Sequence, residues 1–135
     1  MSLLNVRVVT PDKVIYEGTA SAIHATGIDG HFTILPRHLP MVSFLGLGEL
    51  RLDTETGVRY IAIDGGALEV SDNQVIILAN EALAAEDVDV ARLKMELERA
   101  ERLKQNIKNR DEMIRQELEI TKLINTLKVG QHLKK

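Results

Sequence analysis

From Ala67 to Val129 the chain contains neither glycine nor proline, whereas its three prolines, its four aromatic residues and eight of its nine glycines all precede that stretch. Turn formers and β-favouring residues therefore sit in one part of the chain. The helix formers Ala, Leu, Glu, Lys and Arg dominate the end of the other. The split predicts a β module followed by a helical arm. A length of 135 residues suits one ordinary domain, or a small domain with an appendage.

Within the first part, Leu4 to Val9 alternates and ends at the turn signal Thr10-Pro11-Asp12, so it is read as a strand. Val14 to Tyr16 and Ala20 to Ala25 follow as strands. Two hairpins are predicted: Glu49 to Asp53 with Val58 to Ile63 around Thr-Glu-Thr-Gly, and Ala67 to Val70 with Val75 to Leu78 around Ser71-Asp72-Asn73-Gln74. Short strands with frequent turns favour a sandwich or a flattened barrel. Asn80 to Ala85 reads as a linker.

The arm opens at Glu86-Asp87, with Asp87 as the expected N-cap and a first helix from about Val88 to Asn106. Val90, Leu93, Leu97, Ala100 and Ile107 keep helical spacing, as do Met113, Ile120, Leu123, Ile124 and Leu127 beyond a break at Asn106 to Asp111. Together they predict an antiparallel helical hairpin. Lys94–Glu98, Glu98–Arg102 and Asp111–Arg115 are expected pairs on its outer faces. One narrow apolar stripe per helix buries little area, so the hairpin is expected to be marginal until it docks, and to be movable.

Composition narrows the function. Without cysteine there is no disulfide, thiolate metal site or cysteine nucleophile. No stretch approaches the roughly twenty apolar residues of a membrane span, and no leader pattern opens the chain, so membrane association is expected to run through a partner. Residues 1–84 carry 5 basic and 10 acidic residues, against 12 and 10 in residues 85–135; neither balance suits a nucleic-acid surface. After Glu119 the only charged residues besides a histidine are Lys122, Lys128, Lys134 and Lys135, which suit a helix C-terminus.

Candidate chemistry is sparse. His24, His31 and His38 recur every seven residues, but intervening Gly and Pro break any shared geometry, so they are read as satisfied or solvated histidines. No serine lies in a nucleophile elbow. The glycine pairs Gly27 with Gly30 and Gly46 with Gly48 lie outside any phosphate-binding motif and are read as turn residues. Asp89, Arg92 and Arg99 share one helical face; two guanidinium groups there suit a polyphosphate and the carboxylate a hydroxyl or amine. Spacing alone favours an ordinary Asp89–Arg92 pair beside a solvated Arg99.

Val8-Val9-Thr10-Pro11, Ile34-Leu35-Pro36 with His38 and Pro40, Gly65-Gly66-x-Leu68-Glu69-Val70, and Val75-Ile76-Ile77-Leu78-Ala79 occur in an order that resembles the bacterial-type epsilon subunit of F-type ATP synthase. The similarity continues through Glu86-Asp87-Val88-Asp89-Val90-Ala91-Arg92 into the arm. The resemblance implies an N-terminal all-β sandwich of about ten strands over residues 1–84, binding the gamma subunit and the c-subunit ring. It implies a regulatory C-terminal antiparallel two-helix hairpin over residues 85–135. The implied function is that of a non-catalytic central-stalk (rotor) subunit of a proton-translocating complex. Such a subunit has no active site of its own, couples rotation to ATP synthesis, and inhibits ATP hydrolysis when its arm extends toward the alpha and beta subunits. The implied location is peripheral, on the cytoplasmic face of the cell membrane, held through the complex without direct insertion.

The same resemblance implies roles for particular residues. His31, Arg37, His38 and Met41 fall at the c-ring and gamma interface, and Lys122 and Lys128 at inhibitory contacts of the second helix. In the lower loop, members read like G-E-[LF]-G-[IV]-[LY]-P-G-H; here His31 replaces the acid and Arg37 a glycine. Some members bind ATP on the folded arm through a pattern resembling [IL]-D-x-x-R-A, which Asp89 and Arg92 keep, with Arg99 at a further basic position. Val88 and Leu93 depart from that pattern, and on the second helix Lys122 and Thr126 stand where strong nucleotide binders resemble Arg, which weakens the expected binding. No cofactor is required, and regulatory ATP is expected to be weakly held or absent. A stand-alone ATP-sensing module is the alternative.

Overall fold

The computed structural model describes residues 2–133. Seven strands come first: β1 (Leu4–Val9), β2 (Val14–Ala20), β3 (Ala22–Gly27), β4 (Gly30–Ile34), β5 (Met41–Thr54), β6 (Gly57–Ser71) and β7 (Gln74–Ala84). They form one hydrogen-bonded sheet in the order β2-β1-β7-β6-β5-β3-β4. Every neighbouring pair is antiparallel except β1 with β7, which is parallel.

The sheet folds over on itself because its three longest strands serve two layers. In the first layer Met41–Leu45 pairs with Gly66–Val70, which pairs with Val75–Ala79, and this stretch of β7 pairs with β1. In the second, Leu47–Thr54 pairs with Gly57–Asp64, which pairs with Glu81–Ala84, while β3 and β4 extend the other edge. Leu4, Val6 and Val8 of β1 consequently share one core with Ile23 and Ala25 of β3 and Ile34 of β4, although three strands separate β1 from β3. Alternation is clear where one face is covered: Val75, Ile77 and Ala79 are buried and Gln74, Ile76 and Leu78 are not.

The all-β sandwich class agrees with expectation, but the strands number seven rather than about ten. Five segments in each layer supply the larger figure, and β5, β6 and β7 each contribute to both. Asn80 to Ala84 is correspondingly strand rather than linker: Glu81, Leu83 and Ala84 pair with Asp64, Ala62 and Ile61. Gly46 and Gly48 also lie inside β5 rather than in a turn. Opposite them the β3 register shifts between His24 and Gly27, and a Cβ at position 48 would lie 2.6 Å from Thr26 Cβ. The second hairpin turns on Asp72 and Asn73, both at positive φ (50° and 62°), as a two-residue type I′ turn requires.

A 3-10 turn, Ala85–Asp87, leads to α1 (Val90–Lys104) and α2 (Arg110–Gln131). Asp89, rather than Asp87, caps α1, its side chain accepting from the Arg92 backbone N–H at 3.1 Å. Glu86 and Asp87 are used up in the 3-10 turn. Asn109 caps α2 through bonds from Asp111 N and Glu112 N. The helices lie antiparallel, with Gln116 Nε2 donating to the Ala100 carbonyl at 2.8 Å and Gly130 beside Val88 and Val90. Only Val90 and Ala100 of α1, and Val129 and Gly130 of α2, are buried, so few side chains of the pair are shielded from solvent. Of the expected charge pairs, Glu98–Arg102 forms at 4.0 Å and Arg92 instead reaches Glu96 at 2.9 Å.

Candidate functional site

Two surfaces stand out. The first is the outer face of the first sandwich layer. Register aligns Val42 of β5 with Glu69 of β6 and Ile76 of β7, and Phe44 with Ala67 and Leu78. Inward neighbours fill the core, which leaves Val42, Phe44, Ile76 and Leu78 exposed as large apolar groups. Phe44 is 62% exposed, and the turn before β4 reaches it through Ile28 N–H to the Phe44 carbonyl at 3.1 Å. Charge borders the patch: Arg7 is opposite Ile76 and pairs with Glu17 at 3.2 Å. An apolar centre inside a polar rim is the anatomy of a protein interface.

The sequence reading did not single out this patch. Its signal is the run Val75-Ile76-Ile77-Leu78, where both strand faces are apolar instead of one; such a strand expects cover on both sides. Of the four interface residues implied by resemblance, three gather near the loop between β4 and β5. Arg37, at φ 70°, donates its backbone N–H to Asn73 Oδ1 at 2.7 Å, and His38 Nδ1 donates to the Leu39 carbonyl at 2.7 Å. Met41 starts β5 and packs partly into the core. Leu35 and Leu39 are exposed in the same loop. His31 has other neighbours: it lies 3.3 Å from Thr26 Oγ1 and lines a cleft with Glu49, Asn125, Lys128 and His132.

The second surface is where α2 meets the sandwich. Val129 packs with Ala62 and Ala85 against Tyr60. Lys122 Nζ lies 3.1 Å from Asp64 Oδ2, Asn125 donates to the Gly48 carbonyl at 3.0 Å, and His132 Nε2 donates to Glu49 Oε1. The hydrogen bond to Asp64 and its charge hold the Lys122 ammonium above its ordinary 10.5, against a smaller opposing effect of burial. Lys128 is exposed on the same helix. Lys134 and Lys135 lie outside the described residues.

The proposed nucleotide grip is arranged differently from a convergent site. Asp89 is used as a helix cap, Arg92 is paired with Glu96, and Arg99 is exposed on the next turns of α1. The cleft around Lys122 has Asp64 and Glu81 in its wall, which opposes a polyphosphate there. His24 is satisfied: Nε2 donates to Asp53 Oδ2 at 3.0 Å and Nδ1 lies 3.1 Å from Thr33 Oγ1. Burial pushes the Asp53 carboxyl up, but hydrogen bonds and charge from His24 and Arg51 outweigh it and hold the group below 3.8. A depressed carboxyl stabilises the fold above its unfolded value and stops doing so as pH falls through the folded value. Asp53→Asn is therefore expected to lower stability by ~1 kcal/mol at neutral pH. That gap should close below pH 3.8 in denaturant titrations run across the acid range.

Comparison with known proteins places the whole chain. A family model described as ATP synthase, Delta/Epsilon chain, beta-sandwich domain, matches residues 3–85. The chain is 39% identical over 131 residues to the ATP synthase epsilon chain of Halalkalibacterium halodurans, covering 96% of this chain and 98% of that one. It is 44% identical over 102 residues to the epsilon chain of Anoxybacillus flavithermus, covering 76% of each. Among solved structures, a chain in the Euglena gracilis mitochondrial ATP synthase (OSCP/F1/c-ring) superposes with a TM-score of 0.72 at 25% identity, covering 98% of this chain and 79% of that one. A chain in the Tetrahymena thermophila mitochondrial ATP synthase central stalk and c-ring, at TM-score 0.60 and 18% identity, covers 98% and 96% and shares the fold. With its sandwich matched by the family model and its arm carried along in a relative aligned over nearly the full length, the chain belongs to the ATP synthase epsilon chain family.

Proposed function

We infer that the chain is a non-catalytic subunit of the rotor, coupling rotation to ATP synthesis, and that its arm restrains ATP hydrolysis. The sandwich is the fixed part. Its patch around Phe44 and Leu78 offers a partner area that isolated strands would not leave bare, and we assign it to the gamma subunit. The loop carrying Leu35, Arg37, His38 and Leu39 is assigned to the c-subunit ring. Attachment to the membrane at its cytoplasmic face then runs through the ring, and among the described residues no helix is long and apolar enough to cross a bilayer.

The observation that carries the regulatory part is the narrow seat of the arm. Only α2 and the 3-10 turn bring the arm against the sandwich in quantity, and three of the four contacts there are polar and part-exposed. Such contacts exchange readily for others on a competing surface. Among the described residues, Lys128 is exposed on α2 while the arm is docked and can meet an acidic surface of the alpha and beta subunits directly, whereas Lys122 must first leave Asp64.

The test is ATP hydrolysis by an alpha-beta-gamma assembly lacking this subunit, with the whole chain or a chain ending at Ala85 added back. Every buried residue of the main core lies between Leu4 and Ala79, so the shorter chain retains a complete sandwich. Both are expected to bind and only the whole chain to inhibit. Binding by both without inhibition removes the regulatory role. Binding by neither removes the rotor role.

A further inference from the structure

The contacts of α2 on the sandwich run in a line from Lys122 through Asn125 and Val129 to His132, and the last differs in kind from the rest. Its ring lies parallel to that of Tyr60, with centroids 3.9 Å apart and 10° between planes, while Nε2 donates to Glu49 Oε1. Arg51 pairs with Tyr60 across β5 and β6, so Glu49, two residues from Arg51, is a diagonal neighbour of Tyr60 on the same sheet face. Ala62, directly opposite Glu49, receives Val129 one helical turn before His132. A single imidazole thus has an aromatic floor and an anionic wall, supplied by adjacent strands.

We propose that His132 is the release catch of the arm: its hold on Tyr60 and Glu49 keeps the last turn of α2 seated, and losing it frees both helices together. His132 and Glu49 are 33% and 34% exposed, much like Lys122 and Asp64 at 44% and 30%, so solvent screens both charged contacts. What sets His132 apart is the added ring stack, beside one neutral hydrogen bond from Asn125 and the apolar packing of Val129. The helix pair has its own internal contacts, among them Gln116 to Ala100 and Val90 to Gly130, so it survives release as a hairpin. This deepens the regulatory reading above and rests on it only for its consequence, because docking is a property of the isolated chain.

The chain has no cysteine, so cysteines introduced at exposed Glu69 and Leu118 place two spin labels unambiguously. In full-length protein, His132→Ala is expected to raise the undocked-to-docked ratio on the order of tenfold to a hundredfold, the combined loss of a stacked ring and a part-exposed charged hydrogen bond. His132→Phe, which keeps the stack, should fall between. Helical circular dichroism should be unchanged throughout. An unaltered distance distribution in His132→Ala overturns the catch, and so does undocking accompanied by melting of the helices. If His132→Ala undocks intact but inhibits an alpha-beta-gamma assembly as the parent does, the catch stands and the regulatory role of the arm falls.

Discussion

Replacing Gly66 by Ala is expected to cost about 3 kcal/mol or more, a large fraction of the stability of a small domain. Gly66 lies within β6 at φ 140°, and an added Cβ would meet the Leu78 carbonyl oxygen and stand 2.8 Å from Ala79 Cα. Both obstacles are backbone of the neighbouring strand, which cannot rotate aside as a side chain does. They also lie at the bend where β6 passes from one layer to the other, so relief requires the two layers to shift. Gly57→Ala is the control: its φ is 126°, yet nothing lies within 4 Å of the added carbon, so it carries conformational strain without crowding. Urea titrations should show a clearly larger loss at 66 than at 57. Equal losses would mean that φ alone governs both sites and that the close approach of β7 is irrelevant.

Phe44→Asp is expected to weaken binding to a gamma-containing assembly by on the order of a hundredfold or more, because a carboxylate would be buried where a large aromatic anchor belongs. At 62% exposure, Phe44 contributes little to the core, so the isolated variant should lose less than about 1 kcal/mol, mostly from the poor fit of Asp to a strand. Val58→Asp makes the same chemical change at the β5–β6 turn, outside the patch, and should leave affinity unchanged. Calorimetric titration of each variant into the assembly separates the cases. Retained affinity in Phe44→Asp would dismiss the patch as the docking surface.

Much of the architecture was legible because it rests on local rules. The change from turn formers to uninterrupted helix formers separates sandwich from arm, and the pattern of Leu4, Val6 and Val8 marks β1 to the residue. What escaped was continuity. Glycines at 46, 48, 65 and 66 look like punctuation, yet here they sit within strands that bend between layers; only the register of neighbouring strands distinguishes a bend from a turn. Helix boundaries shifted for a similar reason. Asp87 and Asp89 are equally good caps in sequence, and the 3-10 turn that consumes Asp87 is set by Ala85 packing under Val129.

The functional surfaces were less legible than the fold. Phe44 and Leu78 belong to one patch only through Ala67 between them, a relation invisible along the chain. Asp89, Arg92 and Arg99 share a face by spacing, but spacing does not report that Asp89 is spent on a backbone amide or that Glu96 competes for Arg92. His132 was overlooked because its partners, Glu49 and Tyr60, lie far back in the sequence and in different strands.

The ladder between β5 and β6 runs almost unbroken from Met41 and Val70 to Thr54 and Gly57, through both layers of the sandwich. Wringing one layer against the other loads a whole row of backbone hydrogen bonds in parallel, on strands whose covalent bonds are continuous across the bend. The sandwich therefore behaves as a stiff coupling, and the three-residue turn that joins it to the arm is the compliant element. Torque can pass through such a body while the appendage remains free to answer to chemistry instead of load.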